Sequence, residues 1–366
     1  MTQTRLLVAG AGVIGAAIAW AAADTGFAVT VFDPRPRSGA SWVAGGMLAP
    51  VTEAWPGEER LLDLGTASLE AWPEFARRVG ESGLRTEGTL VGAVDSADKT
   101  ELENVAAYLA ARDRKVDVLT GREMRTLEPA IGRAVRAGLS VPGDLAVDNR
   151  ILYDSLLRLG AERGVLHRAE RVAAVRPGAV ELDGGAIVGG DVVLIAAGAA
   201  SGALHPALAS ATRPVKGEIL RLAARPGSLP PPSRTVRGLV QGRHAYLVPR
   251  DNGGLVLGAT EYEAGFDTAP RVAGVRDLLA DAELLVPAIA DYELRECAAG
   301  LRPGSVDNVP IIGALEPGVL VATGHGRNGI LLTPITVDIV LAQLRDKPVP
   351  EPGAFADPAR LEGISG

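Results

Sequence analysis

Gly10, Gly12 and Gly15, followed by Asp33, are residues whose types and spacing could do chemistry. They sit in "RLLVAGAGVIGAAIAWAAA", a short apolar strand pattern, a glycine turn and an apolar run to Ala23, after which "FAVTVFD" reads as a second strand ending in Asp33. In a G-x-G-x-x-G turn the first glycine permits the tight bend. The second lets a pyrophosphate approach the backbone, and the third lets the helix pack on the strand. With Val13 and Ile14 completing the turn, phosphates would lie at the positive end of the helix dipole. Asp33 follows Gly12 by 21 residues, where a ribose-binding carboxylate belongs. Strand, turn, helix, strand and acid in this order imply a dinucleotide site, without separating nicotinamide from flavin dinucleotides.

A second feature is "AGLRPGSVDNVPIIG", residues 299–313, where Arg302 stands among small, apolar and turn-forming residues. The Ala and Leu before it and the Ile pair after it read as buried strand, and the glycines and prolines let the backbone bend around it. An arginine in such a setting is costly unless paired, and a planar guanidinium pairs best with a carboxylate in a bidentate fork. The partner is either a substrate carboxylate or an acid of the chain, for which Asp307 is the nearest in sequence.

The 366 residues suffice for about two domains. The formal charge of −7 leaves no basic stripe for phosphates, which excludes nucleic acid as a partner. Cys297 is the single cysteine and the four histidines are scattered, so a disulfide-stapled secreted fold is excluded and no metal site is expected. The uncharged run Leu6–Ala23 could pass alone for a signal peptide or a membrane span. Read as strand, turn and helix, it points to a cytoplasmic protein with no membrane partner; association with further copies of the chain is left open.

The elements that must position these residues can also be read. "DVVLIAAGAAS" is a buried parallel strand and glycine turn. "GVLVATGHGRNGILLTPITVDIVLAQL" is a strand, a break at Gly324–Gly329 and a helix, with Pro334 near its first turn, where proline is tolerated. Between these blocks lie short strands such as "TLVGAV", "EILRLA", "HAYLVP" and "GLVLGAT", and helices such as "ELENVAAYLAARDR" and "VAGVRDLLADAELLV". "ARPGSLPPPSRTVRG" reads as a surface loop, and no internal repeat is visible. The fold class is α/β: a Rossmann-like domain of discontinuous segments, 1–50, 141–205 and 297–366, with a second domain, 51–140 and 206–296, on a largely antiparallel sheet.

"GASWVAGGMLAP", directly after the second strand, lets a backbone wrap closely around a flat ring system. From this segment onward the chain resembles the glycine oxidase and D-amino-acid oxidase family of FAD-dependent amine oxidases, and most of all its members associated with thiamine biosynthesis. The resemblance runs over nearly the whole chain and is carried by eight segments in family order. They are the glycine turn with Asp33, "GASWVAGGMLAP", "VPGDLAVDNRILYDSLL", "VVLIAAGAAS", "RPVKGEILRL", "YLVPRDNGGLVLGATEYEAGFD", "AGLRPGSVDNVPIIG" and "GHGRNGILLTPITVDIV". Ala200 departs from the pattern, standing where the family often has an aromatic.

The resemblance implies an FAD-binding domain and a substrate domain, with non-covalent FAD held by the glycine turn, Asp33, Ser41, Gly46, Met47, Gly198, Gly326, Arg327, Asn328, Gly329 and Ile330. The amides of the last turn would face the pyrimidine edge of the flavin and stabilise the charge that reduction places there. Arg302 would bind the amino-acid carboxylate, with Tyr246, Arg327 and Met47 completing the substrate contacts; Tyr246 and Met47 also read as ordinary core residues. His244 and His325 are given no catalytic role, because the family needs no base: a neutral amine transfers hydride to flavin N5 and the imine hydrolyses in water. Reduced flavin then passes its electrons to oxygen, giving hydrogen peroxide. In related sarcosine oxidases a cysteine placed like Cys297 bonds the flavin, but a small buried strand residue is the preferred reading. Glycine is the expected substrate, with sarcosine and small D-amino acids slower. Other readings are a broad D-amino-acid oxidase or dehydrogenase, a sarcosine oxidase, a quinone-linked relative, a nicotinamide dehydrogenase and a non-catalytic flavin-binding module.

Overall fold

Arg5–Ala9 buries four of its five side chains and lies inside a six-stranded sheet of the computed structural model, which describes residues 3–363. It pairs in parallel with Ala28–Phe32 and with Val192–Ile195. Leu166–Arg168 and Val319–Thr323 extend the sheet in parallel on either side, and Ile311–Glu316 closes one edge antiparallel. Such strands are apolar on both faces because both faces are covered. Leu6, Val8, Val31 and Leu194 meet a helical layer, while Leu7, Ala9, Val193 and Ile195 meet a small antiparallel sheet of Val172–Arg176, Ala179–Leu182 and Ile187–Gly189.

The helical layer explains the apolar N-terminal run. Helix Val13–Asp24 is buried from Val13 to Ala22, packed between the sheet and the helices Asn149–Glu162 and Thr333–Leu344. None of the described helices is long and apolar enough to cross a membrane. Helix Glu59–Val79 joins this layer too. Its Leu61, Leu64, Trp72, Phe75 and Val79, with buried Ser68 between Leu64 and Trp72, lie three or four residues apart; the apolar ones enter the same core, and Trp72 Nε1 donates to the Leu331 carbonyl at 2.8 Å. Its place is therefore with the first sheet, although the segment 51–140 was expected in the second domain.

The second sheet has eight strands, in the order Glu293–Ser305, Thr212–Ala223, Gly254–Gly258, Arg243–Pro249, Thr235–Val240, Thr89–Ala93, Ala137–Val141 and Asp117–Thr120. All neighbours are antiparallel except Thr235–Val240 with Thr89–Ala93. Helix Val272–Leu285 covers one face through Leu278, Ala282 and Leu285. The bend expected around Arg302 is absent: Glu293–Ser305 is one extended edge strand, with Arg302 opposite Val215. An edge strand tolerates Pro303, whose missing N–H faces away from a central ladder. Residues 297–305 accordingly belong to this sheet, and the chain returns to the first only through the turn before Ile311.

Candidate active site

A cavity of about 1090 Å³ runs between the two sheets. It is larger than the roughly 300–1,000 Å³ of ordinary small-ligand sites, which leaves space for a dinucleotide with a small substrate. One end is built by the glycine turn. Gly10 has φ +105°, and a Cβ there would lie 2.4 Å from the Ala196 carbonyl oxygen, where the neighbouring strand ends. A Cβ on Gly15 would lie 2.1 Å from the Gly10 carbonyl oxygen, so the third glycine does let the helix start against the strand. Asp33 accepts from the amides of Ala11 at 2.9 Å and Arg35 at 2.8 Å, which pins its carboxylate beside the turn.

Most residues expected at a cofactor share this wall. Gly10, Gly12, Val13, Ile14, Asp33, Ser41, Gly46, Met47, Gly198, Gly326, Arg327, Gly329 and Ile330 all line the cavity. Gly15 and Asn328 do not: Gly15 is spent on packing, and Asn328 is buried in the turn, its amide donating to the His325 carbonyl at 3.0 Å. Ser41 Oγ accepts from the Val13 amide at 2.9 Å, so it caps the first turn of the helix as well as facing the cavity. The wall suits FAD. Its glycine turn and helix N-terminus can hold a pyrophosphate, Asp33 can accept from a ribose hydroxyl, and nothing lies within 4 Å of where a Cβ on Gly39, Gly198 or Gly326 would stand. Cys297 is exposed and outside the cavity wall, and desolvation with Glu218 and Glu296 nearby raises its thiol pKa; the buried strand residue expected there is not what the fold provides.

The other end gathers the expected substrate contacts. The Arg302 guanidinium lies over Gly217, where a Cβ would stand 2.6 Å from it, and Nη1 donates to the Thr260 carbonyl at 3.2 Å. Among the described residues its one carboxylate neighbour within 4 Å, Glu261 at 3.9 Å, is 71% exposed. Asp307, the alternative partner, is taken by Arg360 at 2.8 Å. Tyr246 stands on Arg243–Pro249 with its ring packed where side chains on Gly45 and Gly258 would fall. Burial raises its hydroxyl pKa, against the pull of Arg302 and Arg237, so it stays a neutral donor. Met47 lines the cavity on the short strand Met47–Leu48, paired with Leu145–Ala146.

Arg327 is more committed than the sequence implied: it reaches Glu58 at 2.8 Å and Glu53 at 3.5 Å. Glu53 also holds Arg237 at 2.8 Å, a pair the sequence gave no sign of beyond the segment after "GGMLAP". The histidines are scaffolding. His325 is buried against Thr336 Oγ1 at 3.1 Å and desolvation takes its pKa down to about 3, while His244 stacks edge-on to Trp55 and is lowered by desolvation and then Arg237.

A Rossmann-like sheet with a glycine turn, facing a largely antiparallel sheet across one cavity whose wall carries an arginine and a neutral tyrosine, fits a flavin-dependent oxidoreductase. The chain belongs to the FAD dependent oxidoreductase family, whose profile matches residues 5–343. It is 32% identical to the glycine oxidase of Pseudomonas aeruginosa over 98% of this chain and 99% of that protein. It is 30% identical to the bifunctional protein ThiO/ThiG of Nostoc over 93% of this chain and 53% of that one. The crystal structure of glycine oxidase from Geobacillus kaustophilus superposes with a TM-score of 0.87 at 29% identity, covering 97% of this chain and 98% of its own.

Proposed function

We propose that this chain oxidises glycine, and more slowly sarcosine and small D-amino acids, to the imine, with oxygen as final acceptor. The overall reaction is glycine, oxygen and water to glyoxylate, ammonia and hydrogen peroxide. The observation that carries this reading is Arg302: a guanidinium at the cavity wall, held by a carbonyl and, among the described residues, faced by an exposed acid alone, is ready for a carboxylate from outside. Tyr246, kept neutral, can donate to that same carboxylate. Fixing the carboxylate at two points orients the α-carbon, and the absence of a side chain on Gly45 lets the Tyr246 ring pack there. When bound, FAD supplies the two-electron acceptor and returns the electrons to oxygen. A cytoplasmic role supplying the imine to thiamine thiazole synthesis agrees with the similarity to the Nostoc protein.

Anaerobic addition of glycine to the flavin-loaded protein should bleach the flavin, and air should then return one peroxide per glycine. A flavin that no amine bleaches would make the chain a binding module; bleaching without peroxide would point to another acceptor.

A further inference from the structure

Glu53 joins two arginines on the cavity wall. Its Oε1 accepts from Arg237 Nη1 at 2.8 Å, its Oε2 lies 3.5 Å from Arg327 Nε, and its backbone carbonyl accepts from Arg327 Nη2 at 3.0 Å. Glu58 completes the set through Arg327 Nη2 at 2.8 Å. Two cations and two anions cancel. The Glu53 and Arg237 side chains are each only 12% exposed, so water screens their charges poorly. All four residues line the cavity. Arg237 is the cross-strand partner of Tyr246, on the same face of the sheet. Arg302, Glu53 and Arg237 all act electrostatically on the Tyr246 hydroxyl, so this cluster borders the place assigned to the substrate carboxylate.

We propose that Glu53 determines specificity: by occupying Arg237 and Arg327 it leaves Arg302 as the guanidinium beside Tyr246 that is offered to a substrate carboxylate, and so selects amines carrying a single acidic group. This rests on the amino-acid oxidation proposed above. Without the Glu53 charge the cluster would carry a net positive charge beside the substrate. A glycine whose nitrogen bears a second carboxymethyl group, iminodiacetate, would then meet Arg302 at one carboxylate and the released Arg237 at the other. A neighbouring like charge otherwise works against that second carboxylate.

The test uses the flavin-loaded protein and the variants Glu53→Gln and Glu53→Asp. Rapid anaerobic flavin reduction gives kcat/KM for iminodiacetate and for glycine. Perturbation of the flavin spectrum gives Kd for malonate and for acetate, which are not oxidised. Glu53→Gln should raise the iminodiacetate-to-glycine ratio, and the malonate-to-acetate affinity ratio, by about tenfold or more, whereas Glu53→Asp, which keeps the charge, should stay within threefold of the parent. A Glu53→Gln protein that holds its flavin and shifts both ratios by less than threefold overturns the proposal. Should that variant lose its flavin, Arg237→Gln reads the same cluster in the opposite sense: it must lower the malonate-to-acetate ratio, and an unchanged ratio overturns the proposal. If no amine reduces the parent protein the oxidase reading fails, yet the malonate and acetate comparison still decides the role of Glu53.

Discussion

Asp144 is fully buried behind the cavity wall, and replacing it with asparagine should change how stability depends on pH. Its Oδ2 accepts from Thr52 Oγ1 at 2.8 Å, but its Oδ1 has no hydrogen-bond partner. Desolvation raises its pKa from 3.8 to about 7, against smaller pulls from Thr52 and Arg237. Between those values the folded protein keeps a proton that the unfolded chain has released, so stability falls as pH rises from about 4 to about 7 and levels off above. At about 1.36 kcal/mol per pH unit the roughly three-unit window is worth on the order of 4 kcal/mol. Asp144→Asn removes the ionisation while its side-chain oxygen can still accept from Thr52. The variant should match the parent near pH 4 and exceed it at pH 8 by up to about 4 kcal/mol. With 366 residues and about 2.1 cal/mol/K of unfolding entropy per residue, that is on the order of 5 °C in Tm. Differential scanning fluorimetry across pH 4 to 8, with saturating FAD, reads it. A variant less stable than the parent by the same amount at both ends would refute the argument, because the carboxyl would then be acting as a structural hydrogen-bonding group whatever its charge.

Three further predictions come from the two ends of the cavity. Arg302→Ala should keep the fold and the flavin but weaken carboxylate binding by on the order of 2–5 kcal/mol, with Arg302→Lys restoring only part. Gly217→Ala, whose Cβ would lie 2.6 Å from the guanidinium, should raise the KM for glycine by pushing Arg302 aside; steady-state kinetics on the soluble variants checks both, and an unchanged KM counts against the assignment of Arg302. Acid precipitation should leave the yellow colour in the supernatant, since Cys297 lies outside the cavity wall. Colour in the pellet would show a covalent bond instead.

What could be read from the sequence was local. The glycine turn is written in consecutive residues, strand to helix to strand, and Arg302 is visible because a lone charge in an apolar stretch needs a reason. The contacts that complete the substrate end are not local: Glu53 meets Arg237 across 184 positions, and Arg327 meets Glu58 across 269. No periodicity records such pairs. The same limit hid the partner of Asp307, which is Arg360, and the extended path of residues 299–305, where edge position in a sheet overrides the turn-forming preference of glycine and proline. Helix Glu59–Val79 carries Gly65 and Pro73 and has no side-chain cap, so its start and stop signals are weak even though its apolar stripe is regular.

Because the glycine-turn wall belongs mainly to one sheet and Arg302 to the other, the proposed chemistry depends on how the two are held in register. Buried polar groups hold them. Arg250, at the end of Arg243–Pro249, donates through Nη2 to the Gly45 carbonyl at 2.8 Å, within the segment that wraps the cavity. Asn149, at the start of helix Asn149–Glu162, donates to the carbonyls of Ser41 and Trp42 at 2.8 and 3.0 Å, and its own oxygen accepts from Arg221 and Arg250. Burial lowers the pKa of Arg250, a sign of how far it has been taken from water, and the Asp148 carboxylate at 3.2 Å offsets that cost. Gly300, two residues before Arg302, packs on the same segment, where a Cβ would meet Val43 at 3.1 Å and Ala40 at 3.3 Å. The strand carrying Arg302 is thus seated directly on the short helix Ala40–Val43, which contains Ser41. Oxidation needs the α-carbon placed against the flavin to within a fraction of an ångström, and this seam ties the two walls of the cavity to each other.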